Sequence, residues 1–346
     1  MKMKAAILAD QQQPLIIDDV ELPQTLLPGQ LLVRVYYSGI CGSQVAMIDG
    51  ERGKDPYLPH LLGHEGSGFV QDVGPGVKTV QVGDAVVLHC GVGDGIEADT
   101  PSYRWKGQHL NAGWVTTFNE YAIVSENRVT VIPRDFDLAL APLFGCAVLT
   151  GLGTIRKARV EFGKSVVVFG AGGVGLNVIQ GASLVSAHPI IAVDVHDEKL
   201  DLARQFGATH EINAKQSEPK TEILKIVGKV GADATVDCTG HVEVLETAYE
   251  VTRTDGKTIL LSGPRAGYKV QIDPFPLHFS RTLMGFQVIT ESRPHEEIPR
   301  YIKLANAGKL KLKELITDYC ELEDINSVVE RMRNGFLNGR CLIKLA

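Results

Sequence analysis

Three residues of this chain have the chemistry to share one metal ion: Cys41, His64 and Cys146. A zinc ion that does chemistry takes three protein ligands of nitrogen and sulfur type and keeps a fourth position open. Two thiolates and an imidazole meet that description, and thiolates suit zinc better than magnesium or calcium. Each residue also has an ordinary reading. A single cysteine is often a small buried hydrophobe, and a histidine beside glycines is often a turn residue. The six cysteines (positions 41, 90, 146, 238, 320 and 341) contain no Cys-x-x-Cys pair. They read as thiols of a reducing, cytoplasmic compartment, where metal or catalytic roles outrank disulfides.

A second set of residues points to a dinucleotide. The run Ser165-Val166-Val167-Val168-Phe169 ends in Gly170-Ala171-Gly172-Gly173-Val174-Gly175, a Gly-x-Gly-x-x-Gly turn. A helix-compatible apolar segment follows, and a second β-branched run from Ile190 to Val193 ends in Asp194. The first glycine permits a tight turn, the second lets the backbone approach a pyrophosphate, and the third lets helix and strand pack closely. The helix start offers free N–H groups and a partial positive charge to the phosphates. Asp194 would accept hydrogen bonds from the adenosine ribose diol and repel a 2′-phosphate, so the expected cofactor is NAD(H) rather than NADP(H).

The elements that must position these residues divide the chain. Residues 1–147 read as β-rich, with short apolar runs between Pro28-Gly29, Gly74-Pro75-Gly76 and Gly83-Asp84 turns. Residues 91–113 lack periodicity and read as a long surface loop. Residues 148–285 alternate strand and helix. Strands are expected at 165–169, 190–194, 209–213, 233–238 and 257–262, with a last one near 283–289. The intervening helices include Pro219–Lys229, with Ser217 as its cap. That alternation predicts a doubly wound parallel sheet. Residues 286–346 hold too little apolar surface for a core of their own and are expected to return to the first domain. A net charge of −6 argues against nucleic acid or an anionic membrane as partner. The N-terminus has too short an apolar run for a signal peptide, and the most apolar region, 166–187, is glycine-rich and already accounted for by the βαβ unit, so no membrane span is expected.

Taken together, the chain resembles the zinc-dependent alcohol dehydrogenases of the medium-chain dehydrogenase/reductase superfamily over essentially its whole length. The resemblance is carried by Gly39-Ile40-Cys41-Gly42-Ser43, Gly63-His64-Glu65-Gly66-Ser67-Gly68, Val82-Gly83-Asp84-Ala85-Val86, Gly145-Cys146-x-x-x-Thr150-Gly151, and Gly170 to Gly175 with Asp194. It implies an α/β fold: a Rossmann NAD-binding domain at 148–285 and a β-rich GroES-like catalytic domain at 1–147, completed by 286–346. It implies that Cys41, His64 and Cys146 hold a catalytic zinc and that Glu65 sits behind the metal and joins it transiently. Ser43 would pass on the substrate proton. Thr150 would lie near the nicotinamide, Asp194 and Lys199 would flank the ribose, and Arg340 would reach the pyrophosphate. The reaction implied is hydride transfer between NAD(H) and an alcohol or carbonyl, in a homodimer or homotetramer.

Three positions depart from the family pattern. The lobe that carries a second, structural zinc on four cysteines is here Cys90 to Trp114, with Cys90 alone. One thiolate cannot close a tetrahedral site, so one zinc per chain is expected. Gln44 stands where an aspartate often orients the ligand histidine, and Ala46 where a histidine often ends the proton relay. Tyr103, Arg104, Trp105, Lys106, His109 and Trp114, expected at the cleft mouth, suit a polar or sugar-like alcohol docked by Arg104 or Lys106. A solvated loop explains them equally well. A zinc-free enoyl or quinone reductase, a non-catalytic NAD-binding sensor and a structural role are the competing readings.

Overall fold

The computed structural model describes residues 1–346, and the chain separates into two compact units. The first comprises Met1–Leu149, Ser292–Ala307 and Leu312–Ala346; the second comprises Thr150–Glu291 and Gly308–Lys311.

In the second unit six parallel strands form one sheet. Their order is His210–Asn213, Ile190–Asp194, Val166–Phe169, Ala232–Asp237, Thr252–Leu260 and Thr282–Gly285. Numbered along the chain this is 3-2-1-4-5-6, the doubly wound dinucleotide fold. The central strands are buried on both faces, which is why Val166–Phe169 and Ile190–Asp194 read as unbroken β-branched runs. Val167, Phe169, Ile191, Val193, Ile212, Ile223, Ala248 and Val251 form one core beneath the helices.

The first unit carries two sheets. One has five strands, in the order His60–Leu61, Lys2–Leu8, Ile16–Glu21, Tyr103–Trp105 and Gln108–Leu110. The other, with seven strands, runs Val129–Val131, Ala85–His89, Glu65–Val73, Gln30–Gly39, Arg340–Lys344 and Ile316–Glu321, with Tyr121–Ser125 also paired to Gln30–Gly39. Strand Arg340–Lys344 lies antiparallel to Gln30–Gly39, so a segment late in the sequence forms a central strand of the first unit.

Several local expectations need correction. The region read as a loop at 91–113 contains the hairpin Tyr103–Trp105 and Gln108–Leu110, whose Tyr103 and Leu110 are fully buried. The strand expected near 283–289 ends at Gly285, and Val288–Glu291 is helical. The helix at Pro219–Val227 is capped by Glu218, not Ser217; its carboxylate accepts the N–H groups of Lys220 and Thr221 at 3.0 and 2.7 Å. A carboxylate there also meets the positive end of the helix dipole. No helix is long and apolar enough to cross a membrane.

Candidate metal centre and dinucleotide site

Four side chains converge in the first unit. Cys41 ends the loop after strand Gln30–Gly39 and precedes the helix Gly42–Ile48. His64 and Glu65 stand at the start of strand Glu65–Val73. Cys146 lies in the π-helical turn Phe144–Val148, a wide turn that recurs at functional sites. The donor atoms of Cys41, His64, Glu65 and Cys146 all lie within 4.8 Å of one another. Two glycines make room for the acid: a Cβ at Gly39 would come within 2.7 Å of Glu65 Cδ, and one at Gly145 within 3.1 Å of Glu65 Cα.

The electrostatics of this cluster fit a cation. The Cys41 and Cys146 sulfurs are 3.9 Å apart; two Zn–S bonds at a tetrahedral angle span about 3.8 Å. The hydrogen bond from Cys146 holds the Cys41 thiol well below its usual range, and donating it pushes Cys146 well up. Burial pushes Glu65 up to about 6. Its Oε1 accepts from Arg340 Nη1 at 2.9 Å, while its buried Oε2 has no partner. Burial alone would lower His64, but the hydrogen bond to Cys41 and its charge outweigh that and raise it. A buried carboxylate oxygen without a partner, beside two thiols and an imidazole, is a donor set that awaits a divalent ion.

Gln44 supplies what the sequence left open. Its Oε1 lies 2.6 Å from His64 Nδ1. A carbonyl oxygen only accepts, so Nδ1 carries the proton and Nε2 keeps its lone pair for a metal. Ser43, half-buried, lies two residues beyond Cys41 in the first turn of helix Gly42–Ile48. Arg340 is 3% exposed and donates to Ile40 O at 3.0 Å as well as to Glu65. The structure thus turns this guanidinium onto the acid behind the cluster, a pairing the sequence did not suggest.

The remaining site residues lie in the second unit. Gly170 turns at φ +90°, and helix Gly173–Leu184 starts with Gly172 as a cap that has no side chain. A Cβ at Gly175 would lie 1.9 Å from Gly170 O, so only glycine lets this helix approach the strand. The N–H groups of Gly173, Val174 and Gly175 begin the helix and lack acceptors within it. Asp194 ends the neighbouring strand; its Oδ2 accepts from Ala171 N at 2.8 Å and its Oδ1 from Val195 N at 2.7 Å. Lys199 is half-buried in helix Asp197–Phe206, and Thr150 lies at the start of helix Leu149–Ala158.

The segment from Cys90 to Trp114 is held by protein groups. Glu126 accepts N–H bonds from Lys78, Thr79 and Ile96 at 2.7, 2.7 and 2.9 Å, and the Thr79 hydroxyl at 2.8 Å. Arg128 pairs with Glu97 at 2.8 Å and stacks 4.7 Å from the Trp114 ring. Burial pushes the Cys90 thiol up to about 12. Lys106 pairs with Asp18 at 3.4 Å and lies 4.6 Å over Trp105.

Known proteins share this arrangement. The alcohol dehydrogenase GroES-like domain family matches residues 27–134, and the zinc-binding dehydrogenase family matches residues 173–307. An S-(hydroxymethyl)glutathione dehydrogenase of Synechocystis sp. is 32% identical over 367 aligned positions, covering 97% of this chain and 98% of that protein. The corresponding Paracoccus denitrificans enzyme is 31% identical with the same coverage. Benzyl alcohol dehydrogenase from Acinetobacter calcoaceticus superposes with a TM-score of 0.89 at 28% identity, covering all of both chains. An alcohol dehydrogenase zinc-binding domain protein from Burkholderia ambifaria gives 0.91 at 29% identity, over 100% of this chain and 99% of that one. With the cluster and the doubly wound sheet, these likenesses establish that the chain belongs to the zinc-dependent alcohol dehydrogenases of the medium-chain dehydrogenase/reductase superfamily and is an NAD-dependent oxidoreductase.

Proposed function

We propose that this protein interconverts a primary alcohol and its aldehyde with NAD(H), using one catalytic zinc per chain. The observation that carries the reading is the convergence of Cys41, His64, Glu65 and Cys146 within 4.8 Å. Cys41, His64 and Cys146 would hold the ion, and Glu65 would stand behind it with Oε2 available. Zinc bound there supplies Lewis acidity that acidifies an alcohol and polarises a carbonyl. Gln44 fixes the His64 tautomer, and Arg340 balances the charge of Glu65. Ser43 would accept the substrate hydroxyl's proton while passing its own on to the ribose hydroxyl and water. Gly170, Gly172, Gly173, Val174 and Gly175 cradle the pyrophosphate. Asp194 would accept from the ribose diol, with Lys199 beside it and Thr150 toward the nicotinamide; Arg340, expected at the pyrophosphate, is taken up by Glu65 and Ile40 O.

The restriction to primary alcohols draws on the compounds in the relatives' names, hydroxymethyl glutathione and benzyl alcohol, which both carry a CH2OH group. Lys106 is already paired with Asp18, so docking of a polar substrate would fall to Arg104. A reducing cytoplasm fits six cysteines that form no disulfide, and the family resemblance implies a homodimer or homotetramer. Metal analysis of the purified protein together with a panel of primary, secondary and polyhydric alcohols tests the proposal. About one zinc per chain and preference for primary alcohols are expected. Two zincs, none, or activity confined to secondary alcohols would overturn it.

A further inference from the structure

Two carboxylates flank strand Val166–Phe169 at the carboxyl end of the sheet. Asp194 closes the strand on one side and Asp237 the strand on the other, opposite Phe169 in register. The order 3-2-1-4-5-6 reverses between Val166–Phe169 and Ala232–Asp237, and ligands of such sheets enter the crevice outside the strands at that reversal. One wall of the crevice is the turn at Gly170 to Gly173. The other is the turn Cys238 to His241, which no role described so far uses.

Asp237 builds that second wall. Its Oδ1 accepts from Thr239 N at 2.8 Å and from Thr239 Oγ1 at 2.7 Å. The Thr239 hydroxyl in turn accepts His241 N–H at 3.2 Å. Cys238 N donates to Phe169 O at 2.9 Å, and Ser262 Oγ to Cys238 O at 2.9 Å. The turn is thereby tied to both neighbouring strands. Its Thr239 methyl lies where it would meet a Cβ at Gly170 at 3.0 Å. The two walls therefore face each other closely, and Thr239 leaves no easy room for a side chain at the first glycine of the phosphate turn.

The price of this arrangement is visible in the same residue. Asp237 is fully buried, its Oδ2 has no partner, and burial raises its pKa. A buried polar atom without a partner costs about 1–3 kcal/mol, and Oδ1 alone does the bonding. A fold that needed only stability would carry a different side chain here.

We propose that Asp237 is a positioning residue for the dinucleotide: through Thr239 it sets the wall against which the Gly170 turn, and hence the pyrophosphate cradle, is held. The inference rests on the NAD(H) reading given above. It is tested by NADH titration, read by nicotinamide fluorescence, on the zinc-loaded protein and two variants. Asp237→Ala should weaken NADH binding about tenfold and raise KM for NAD alike, with kcat at saturating NAD and zinc content unchanged. Asp237→Asn keeps the accepting oxygen, so it should restore NADH affinity and melt at a higher temperature than wild type, because the buried charge is gone. Should Asp237→Ala fail to fold, Thr239→Val removes the same hydroxyl link and should give the same loss. Wild-type NADH affinity in folded Asp237→Ala or Thr239→Val overturns the proposal, as does failure of Asp237→Asn to restore it. If the wild-type protein itself binds no NADH, the functional reading fails instead.

Discussion

The metal cluster and the segment from Cys90 to Trp114 both bury charge in the first unit, and they settle it in opposite ways. Against the segment, Glu126 receives four hydrogen bonds, one of them from Ile96 N, and Arg128 is paired with Glu97 and stacked on Trp114. In the cluster, two thiols, an imidazole and a carboxylate crowd together, and Glu65 Oε2 is left without a partner. A region that only needs to hold its shape satisfies its charges largely from within, though Arg128 Nε and Asn127 Oδ1 are left over here. A region built to receive an ion keeps donors that nothing in the protein satisfies.

The largest break in this contrast should come from the cluster. Cys41→Ala should lose zinc and cut turnover by more than the 10- to 100-fold typical of residues behind a metal ligand, while NADH titration stays near wild type. Elemental analysis and steady-state rates check this. Gln44→Ala, which frees the His64 ring, should fall within about 10- to 100-fold in zinc affinity, read by chelator competition. Glu126→Ala should do the reverse of Cys41→Ala. It should cost about 2–3 kcal/mol in urea unfolding by orphaning several N–H donors, with zinc content unchanged.

His89 sharpens the comparison through pH. Its Nδ1–H donates to Gly91 O at 3.0 Å, and its Nε2 accepts from Thr130 Oγ1 at 2.8 Å. Burial lowers its pKa from 6.5 to about 4. Below pH 6.5 the unfolded chain binds a proton that the folded chain refuses. Stability present above that pH should therefore fall by about 1.4 kcal/mol per unit down to pH 4, then level off. Denaturant midpoints across that range, compared with His89→Asn, measure it. The smallest effect belongs to the surface: Lys106→Ala removes an exposed pair with Asp18 and should change stability by under about 0.5 kcal/mol. A large loss of alcohol turnover in that variant would return Lys106 to the substrate site.

What was legible in the sequence follows from periodicity and reach. Strand Ile190–Asp194 has the bounds expected of it, because a strand buried on both faces is a continuous apolar run. The hairpin Tyr103–Trp105 and Gln108–Leu110 was hidden, because three-residue strands with one inward side chain each show no period. Ser217 looked like the better cap because sequence preference favours hydroxyls, yet Glu218 sits closer to the open amides. The metal cluster could be suspected from Cys41, His64 and Cys146. The hold of Gln44 on His64 was foreseeable only as a possibility of chemistry, and the burial of Arg340 against Glu65 not at all. Their contact joins residues 275 apart, beyond any local pattern.

That last contact bears on how the protein is made. Strand Arg340–Lys344 slots beside Gln30–Gly39, and its first residue neutralises an acid translated 275 codons earlier. While synthesis is under way, the nascent first unit lacks a central strand and Glu65 lacks its cation. Ribosome-tethered chains should therefore remain incompletely folded around their cysteines until the closing strand emerges, and only then acquire the pocket that captures zinc.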